Sequence, residues 1–84
     1  QFNAHSNLGV IYAAQGKRDR AISHFRQAIR IRPDSAGAYC NLGIALQSQG
    51  KRDEAADAFR RALDLDPQNM QARKALHELQ IPGP

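Results

Sequence analysis

The sequence predicts an all-α chain of five helices: two antiparallel helix–turn–helix repeats and one further helix. Three observations predict it. The chain resembles itself at a shift of 34 residues, its apolar residues recur at helical spacing, and glycine and proline punctuate both copies at the same places. Residues 2–35 and 36–69 share 14 identities in 34 positions. Unrelated segments of ordinary composition match at roughly 2. Val10/Ile44, Ile29/Leu63 and Ile31/Leu65 are conservative pairs besides.

Each element follows in order. The first helix is predicted over residues 2–15 and ends at Gly16, because glycine adopts the left-handed geometry of a helix C-terminus at little cost. The second runs over 18–31. Its Ala21, Ile22, Phe25, Ala28 and Ile29 make one apolar stripe. Pro33 ends it by disfavouring helical geometry in the preceding residue. Asp34-Ser35 supply polar side chains to cap the third helix, over 36–49, which Gly50 stops. The fourth helix, over 52–65, repeats the stripe with Ala55, Ala56, Phe59, Ala62 and Leu63. Pro67 ends it, and Gln68-Asn69 precede a fifth helix over 70–79. Pro82-Gly83-Pro84 cannot extend that helix.

Gly9 and Gly43 stand in mid-helix, where glycine costs about 1 kcal/mol relative to alanine. Such a cost implies a close approach, and the partner helix of the same hairpin is the candidate. Ala21, Ala28, Ala55 and Ala62 are small for the same reason, and Phe25 and Phe59 are the large knobs between the helices.

Composition limits the function classes. The chain has 84 residues and 9.3 kDa, with 42% hydrophobic and 24% charged residues and a mean hydropathy of -0.60. That fits a soluble globular unit, too small for a large core. No apolar run approaches the roughly 20 residues of a membrane span. No signal-like opening and no initiator methionine are present, so an excised fragment is expected. One cysteine, Cys40, rules out an internal disulfide framework and, with the missing signal, favours the cytoplasm.

The pattern His5-x2-Leu8-Gly9-x2-Tyr12, Ala21-x3-Phe25, Pro33 recurs as Tyr39-x2-Leu42-Gly43-x2-Leu46, Ala55-x3-Phe59, Pro67. It resembles the tetratricopeptide repeat, a helix–turn–helix unit of 34 residues. His5 and Leu46 depart from that family's tryptophan and tyrosine. The resemblance implies a right-handed superhelical array, with repeats at 2–35 and 36–69 and a capping helix and tail over 70–84. It also implies a non-enzymatic scaffold that binds a peptide or protein segment in its concave groove, with no cofactor.

In this family the first helix of each repeat lines the groove. Mapped onto this chain, the groove offers Asn3, Ser6, Asn7, Val10 and Ala13, then Gly37, Cys40, Asn41, Ile44 and Gln47, then Gln71, Lys74 and Glu78. It reads as small, polar and nearly neutral. Asn7 and Asn41 are the leading candidates. An amide both donates and accepts, so repeated every 34 residues it can pair with an extended peptide backbone whatever its side chains. The alternative use of these amides is to bond the neighbouring repeat. The segments around Asn7 and Asn41 resemble the superhelical repeats of O-linked N-acetylglucosamine transferases, which makes a structural segment of a longer superhelix attached to a glycosyltransferase one alternative. The carboxylate clamp for the acidic C-terminus of heat-shock chaperones is not matched. Asn41 fits one of its places, but Ser6, Val10, Gln71 and Ala75 stand at the others.

Chemistry of other kinds finds little support. His5, His24 and His77 have no spacing that puts two on one helical face, and no metal-ligand cluster or nucleophile–base arrangement is legible. Cys40 reads as a buried or groove-facing bystander. The Gly-Lys-Arg-Asp corners at 16–19 and 50–53 lack the glycine spacing of a phosphate loop. Their Asp19 and Asp53 suit a helix N-terminus instead.

The net charge is +4 and uneven. Residues 1–35 carry six basic and two acidic side chains, residues 36–69 four and five. The basic groups fall on the turn and the outer helix, so a convex face for RNA or an acidic partner is the other alternative. Nucleic acid is disfavoured by the absence of aromatics among the arginines. Two repeats fall below the three or so that stabilise such arrays. Weak head-to-tail self-association is therefore expected, through the open parts of Phe2, His5, Leu8 and Tyr12 against Ala72, Leu76 and Leu79 of another copy.

Overall fold

Helices form where the periodicity places them. The computed structural model describes residues 2–80, and every described element is a helix: α1 (Phe2–Ala14), α2 (Arg18–Ile31), α3 (Ala36–Ser48), α4 (Arg52–Leu65) and α5 (Met70–Gln80). Each bound lies within one residue of its expected position. The stop expected at Pro82-Gly83-Pro84 lies outside the described residues.

The punctuation works as its chemistry requires. Gly16 and Gly50 take φ of 78° and 82°, the left-handed region that a side chain resists. Lys17 N–H then donates to the Tyr12 carbonyl at 2.8 Å and Gly16 N–H to Ala13 at 3.0 Å. Lys51 repeats this to Leu46 at 3.0 Å and Gly50 to Gln47 at 2.9 Å. This paired closure satisfies carbonyls that a helix end leaves open. At the opposite ends, Ser35 Oγ accepts from Ala38 N–H at 3.2 Å, and Asn69 Oδ1 accepts from Ala72 N–H at 2.9 Å. Asp19 and Asp53 lie in the first turns of α2 and α4, where a carboxylate opposes the helix dipole favourably.

Consecutive helices pack in sequence, α1 on α2, α2 on α3, α3 on α4 and α4 on α5, with α3 also touching α1 and α5. The glycines are where the hairpins close. A Cβ on Gly9 would lie 2.4 Å from Phe25 Cε1, and one on Gly43 would lie 2.7 Å from Phe59 Cε1. Both rings are buried, as are Ala21, Ala28, Ala55 and Ala62. The core therefore alternates missing or small side chains with one large ring, as close packing of two helices demands. On α5, Ala72 is buried and Leu76 and Leu79 pack against the core.

The Gly-Lys-Arg-Asp corners join one hairpin to the next. Arg18 Nε donates to Ser48 Oγ at 3.2 Å, at the far end of α3. Its counterpart Arg52 donates to the Leu79 carbonyl at 2.9 Å, at the far end of α5. Gln49 Nε2 also donates to Asp19 Oδ1.

The first hairpin departs from expectation at its histidines. They were read as scattered, yet His5 of α1 and His24 of α2 meet across the hairpin with Nδ1 atoms 3.1 Å apart. His24 also stacks on Tyr12, ring centroids 5.3 Å apart. Helical-face spacing could not reveal the pair, because its members belong to different helices. Desolvation, reinforced by neighbouring positive charge that includes His24, lowers the His5 pKa. The α1 surface expected to lie partly open is itself partly covered. His5 and Tyr12 are half-buried in this stack, and Arg32 lies 4.5 Å from the centroid of the Phe2 ring. Leu8 and Ile11 remain exposed.

Candidate functional site

α1 and α3 lie side by side with only slight contact, and the space between them is the candidate site. A hollow of about 320 Å³ opens there, lined by Val10 and Ala13 of α1, Asn41, Ile44, Ala45 and Ser48 of α3, and Arg18 and Phe25 of α2. It brings together four of the predicted groove residues: Val10, Ala13, Asn41 and Ile44. Val10 and Ile44 are exposed at the same repeat position, and Asn41 is half-buried.

The other predicted residues lie elsewhere. Asn3 and Asn7 are exposed and Ser6 half-buried on α1, away from the lining of the hollow. Lys74 is exposed on α5. Cys40 corrects the groove assignment: it is 2% exposed and belongs to the core. α3 is packed by α2, α4 and α5, which leaves it a narrower free face than family register alone assigns. Desolvation pushes the Cys40 thiol above its ordinary pKa, the opposite of what a reactive thiolate needs.

Two further expectations are corrected. The groove was read as polar, but Val10, Ala13, Phe25, Ile44 and Ala45 give the hollow an apolar lining with Asn41 and Ser48 beside it. The basic excess of residues 1–35 is expected on the turn and the outer helix, but Arg18 reaches the hollow through its bond to Ser48. The signal for this was the repeated arginine at the first residue of each outer helix, beside the glycine turn that brings it toward the next inner helix.

Neither Asn7 nor Asn41 takes part in the side-chain hydrogen bonds found among the described residues. Among the same residues, no three His, Cys, Asp or Glu side chains gather as a metal-binding group, and no helix is long and apolar enough to cross a membrane.

Stacked antiparallel helical hairpins with a groove between their first helices define a helical-repeat protein of the solenoid class. The chain belongs to the tetratricopeptide repeat family, whose model matches residues 1–68. Among solved structures, MamA is 24% identical with a TM-score of 0.92, over 94% of this chain and 46% of that one. The first TPR of Spaghetti (RPAP3), bound to the HSP90 peptide SRMEEVD, is 25% identical with a TM-score of 0.90, over 94% of this chain and 63% of that one. The second TPR of Spaghetti, bound to the same peptide, is 22% identical with a TM-score of 0.92, over 95% and 74%. The chain thus spans less than two thirds of MamA and of the first Spaghetti domain. No curated protein sequence gives a significant match.

Proposed function

We propose that the chain is a protein-interaction scaffold that holds an extended peptide segment along α1 and α3. Residues 2–35 and 36–69 act as its two repeats in a right-handed array, with 70–84 as the closing segment. The observation that carries the reading is the hollow between Val10, Ala13, Asn41 and Ile44. An apolar peptide side chain enters it, while Asn7 and Asn41 donate to and accept from the peptide backbone. Asn7 is exposed and Asn41 half-buried, and neither makes an intramolecular side-chain bond among the described residues, so neither has to give up a protein partner to meet a ligand. The peptide bound by the first Spaghetti domain supports this use of the fold. Ser6, Val10, Gln71 and Ala75 supply no clamp of cations, so the ligand need not end in an acidic C-terminus.

The test selects a binder from a displayed peptide library and measures it against Asn7→Ala/Asn41→Ala. Affinity is expected to fall while circular dichroism stays unchanged. Undiminished affinity would show the amides to be bystanders. The alternative, an acidic partner on the convex face, draws on Arg26 and Arg30, exposed beside Ser23 and Gln27 around an open hollow of about 480 Å³. It predicts affinity that collapses with added salt, which backbone pairing by amides does not.

A further inference from the structure

Outside the groove, the described residues hold one pair of metal-ligating side chains in immediate contact: His5 and His24, with Nδ1 atoms 3.1 Å apart. A late first-row divalent ion binds imidazole nitrogen at about 2.0–2.1 Å, so two such ligands at an angle between square and tetrahedral stand about 2.8–3.4 Å apart. The observed separation falls within that range. We propose that His5 and His24 form a two-histidine clamp for a divalent ion of the zinc, nickel or copper type, bridging α1 and α2.

Both residues are half-buried, so neither is sealed from solvent. With no group of three protein ligands among the described residues, water completes the coordination. Tyr12 stacks on His24 and holds its plane, and a fixed ring loses less freedom when a metal arrives. Lys17 and Arg20 lie 5.8 and 5.7 Å from the Tyr12 ring centroid. Their charge opposes a cation, so the clamp is of modest affinity and selective for ions that bond imidazole. Hard cations such as magnesium prefer oxygen and gain nothing here.

The second hairpin is an internal control. Tyr39, Ala58 and Leu46 occupy the places of His5, His24 and Tyr12, and none of them supplies imidazole nitrogen. Metal therefore ties α1 to α2 and leaves α3 and α4 untouched. Because the two ligands come from different helices, an ion bound to both favours the closed hairpin over the open one.

The experiment titrates the unmodified chain with nickel chloride at neutral pH, by calorimetry and by proton NMR of the histidine rings. Saturable one-to-one binding is expected, with paramagnetic broadening of His5 and His24 together before His77, and none with magnesium chloride. His5→Gln and His24→Gln should each lose the binding, whereas His77→Gln should keep it. Absent binding, or broadening that begins at His77, would overturn the clamp and leave the pair as a hydrogen bond across the hairpin. The NMR reading is made on the unmodified chain, so it holds even if a glutamine variant folds poorly.

Discussion

α1 and α3 share residues at several matching repeat positions, Leu8/Leu42 and Ala4/Ala38 among them, and these meet different fates. Leu42 is 8% exposed and Leu8 38%; Ala45 is 5% exposed and its counterpart Ile11 50%. Ala38 is buried and Ala4 exposed. The difference is not in the helices. α2 packs on that side of α3, whereas among the described residues α1 touches only α2 and a little of α3. A repeat thus presents an apolar surface that its predecessor covers, and the hydrophobic gain of each repeat depends on a neighbour.

The hairpin interior, by contrast, is nearly the same in both copies, since Gly9 receives Phe25 as Gly43 receives Phe59. Substitutions at paired positions separate the two effects. The largest loss is expected for Phe59→Ala, about 3–5 kcal/mol by denaturant unfolding, because a fully buried ring leaves a cavity that its neighbours cannot fill. Phe25→Ala should cost less, since its hairpin opens to the hollow that the ring helps to line.

Leu42→Ala should follow at about 2–4 kcal/mol, against about 1 kcal/mol for the half-exposed Leu8→Ala. This pair breaks the comparison most directly, since equal losses would mean that neighbouring helices do not govern burial. Gly43→Leu should cost about 1–3 kcal/mol through overpacking on Phe59. An unchanged melting curve would remove the close approach as the reason for glycine there. Ser35→Ala should cost about 1 kcal/mol through the lost bond to Ala38 N–H, visible as fraying of α3 in amide exchange.

The smallest effect concerns Cys40. Its thiol pKa is raised by burial in the folded state, so the folded chain keeps the proton after the unfolded chain has lost it. Stability therefore declines as pH rises above the ordinary thiol range, and Cys40→Ala should flatten that part of the profile. Thiol labelling at neutral pH should proceed only at the rate of local opening. Labelling as fast as in denaturant would return Cys40 to the surface. Leu8 and Ile11 are exposed; if that surface drives weak head-to-tail association, sedimentation over a concentration series should show the mean mass rising with concentration, and a single monomeric species throughout would count against it.

The sequence alone determined the elements and their local closure. The 34-residue repeat, the apolar stripe of α2 and α4, the left-handed Gly16 and Gly50, and the Ser35 and Asn69 caps all rest on interactions within a few residues. The Gly9–Phe25 and Gly43–Phe59 contacts were legible too, because a mid-helix glycine leaves little else to explain it. Only the tertiary structure decided which copies of a repeated residue are covered, since Leu8 and Leu42 are indistinguishable until α3 is packed between the first hairpin and the helices that follow it, while α1 has only α2 and a little of α3 among the described residues. It placed Cys40 in the core because three helices enclose α3, carried Arg18 to the groove by its bond to Ser48, and joined His5 to His24 across 19 residues. Periodicity assigns a residue to a face of its own helix. What meets that face depends on another helix, whose position is fixed by the packing of the whole array.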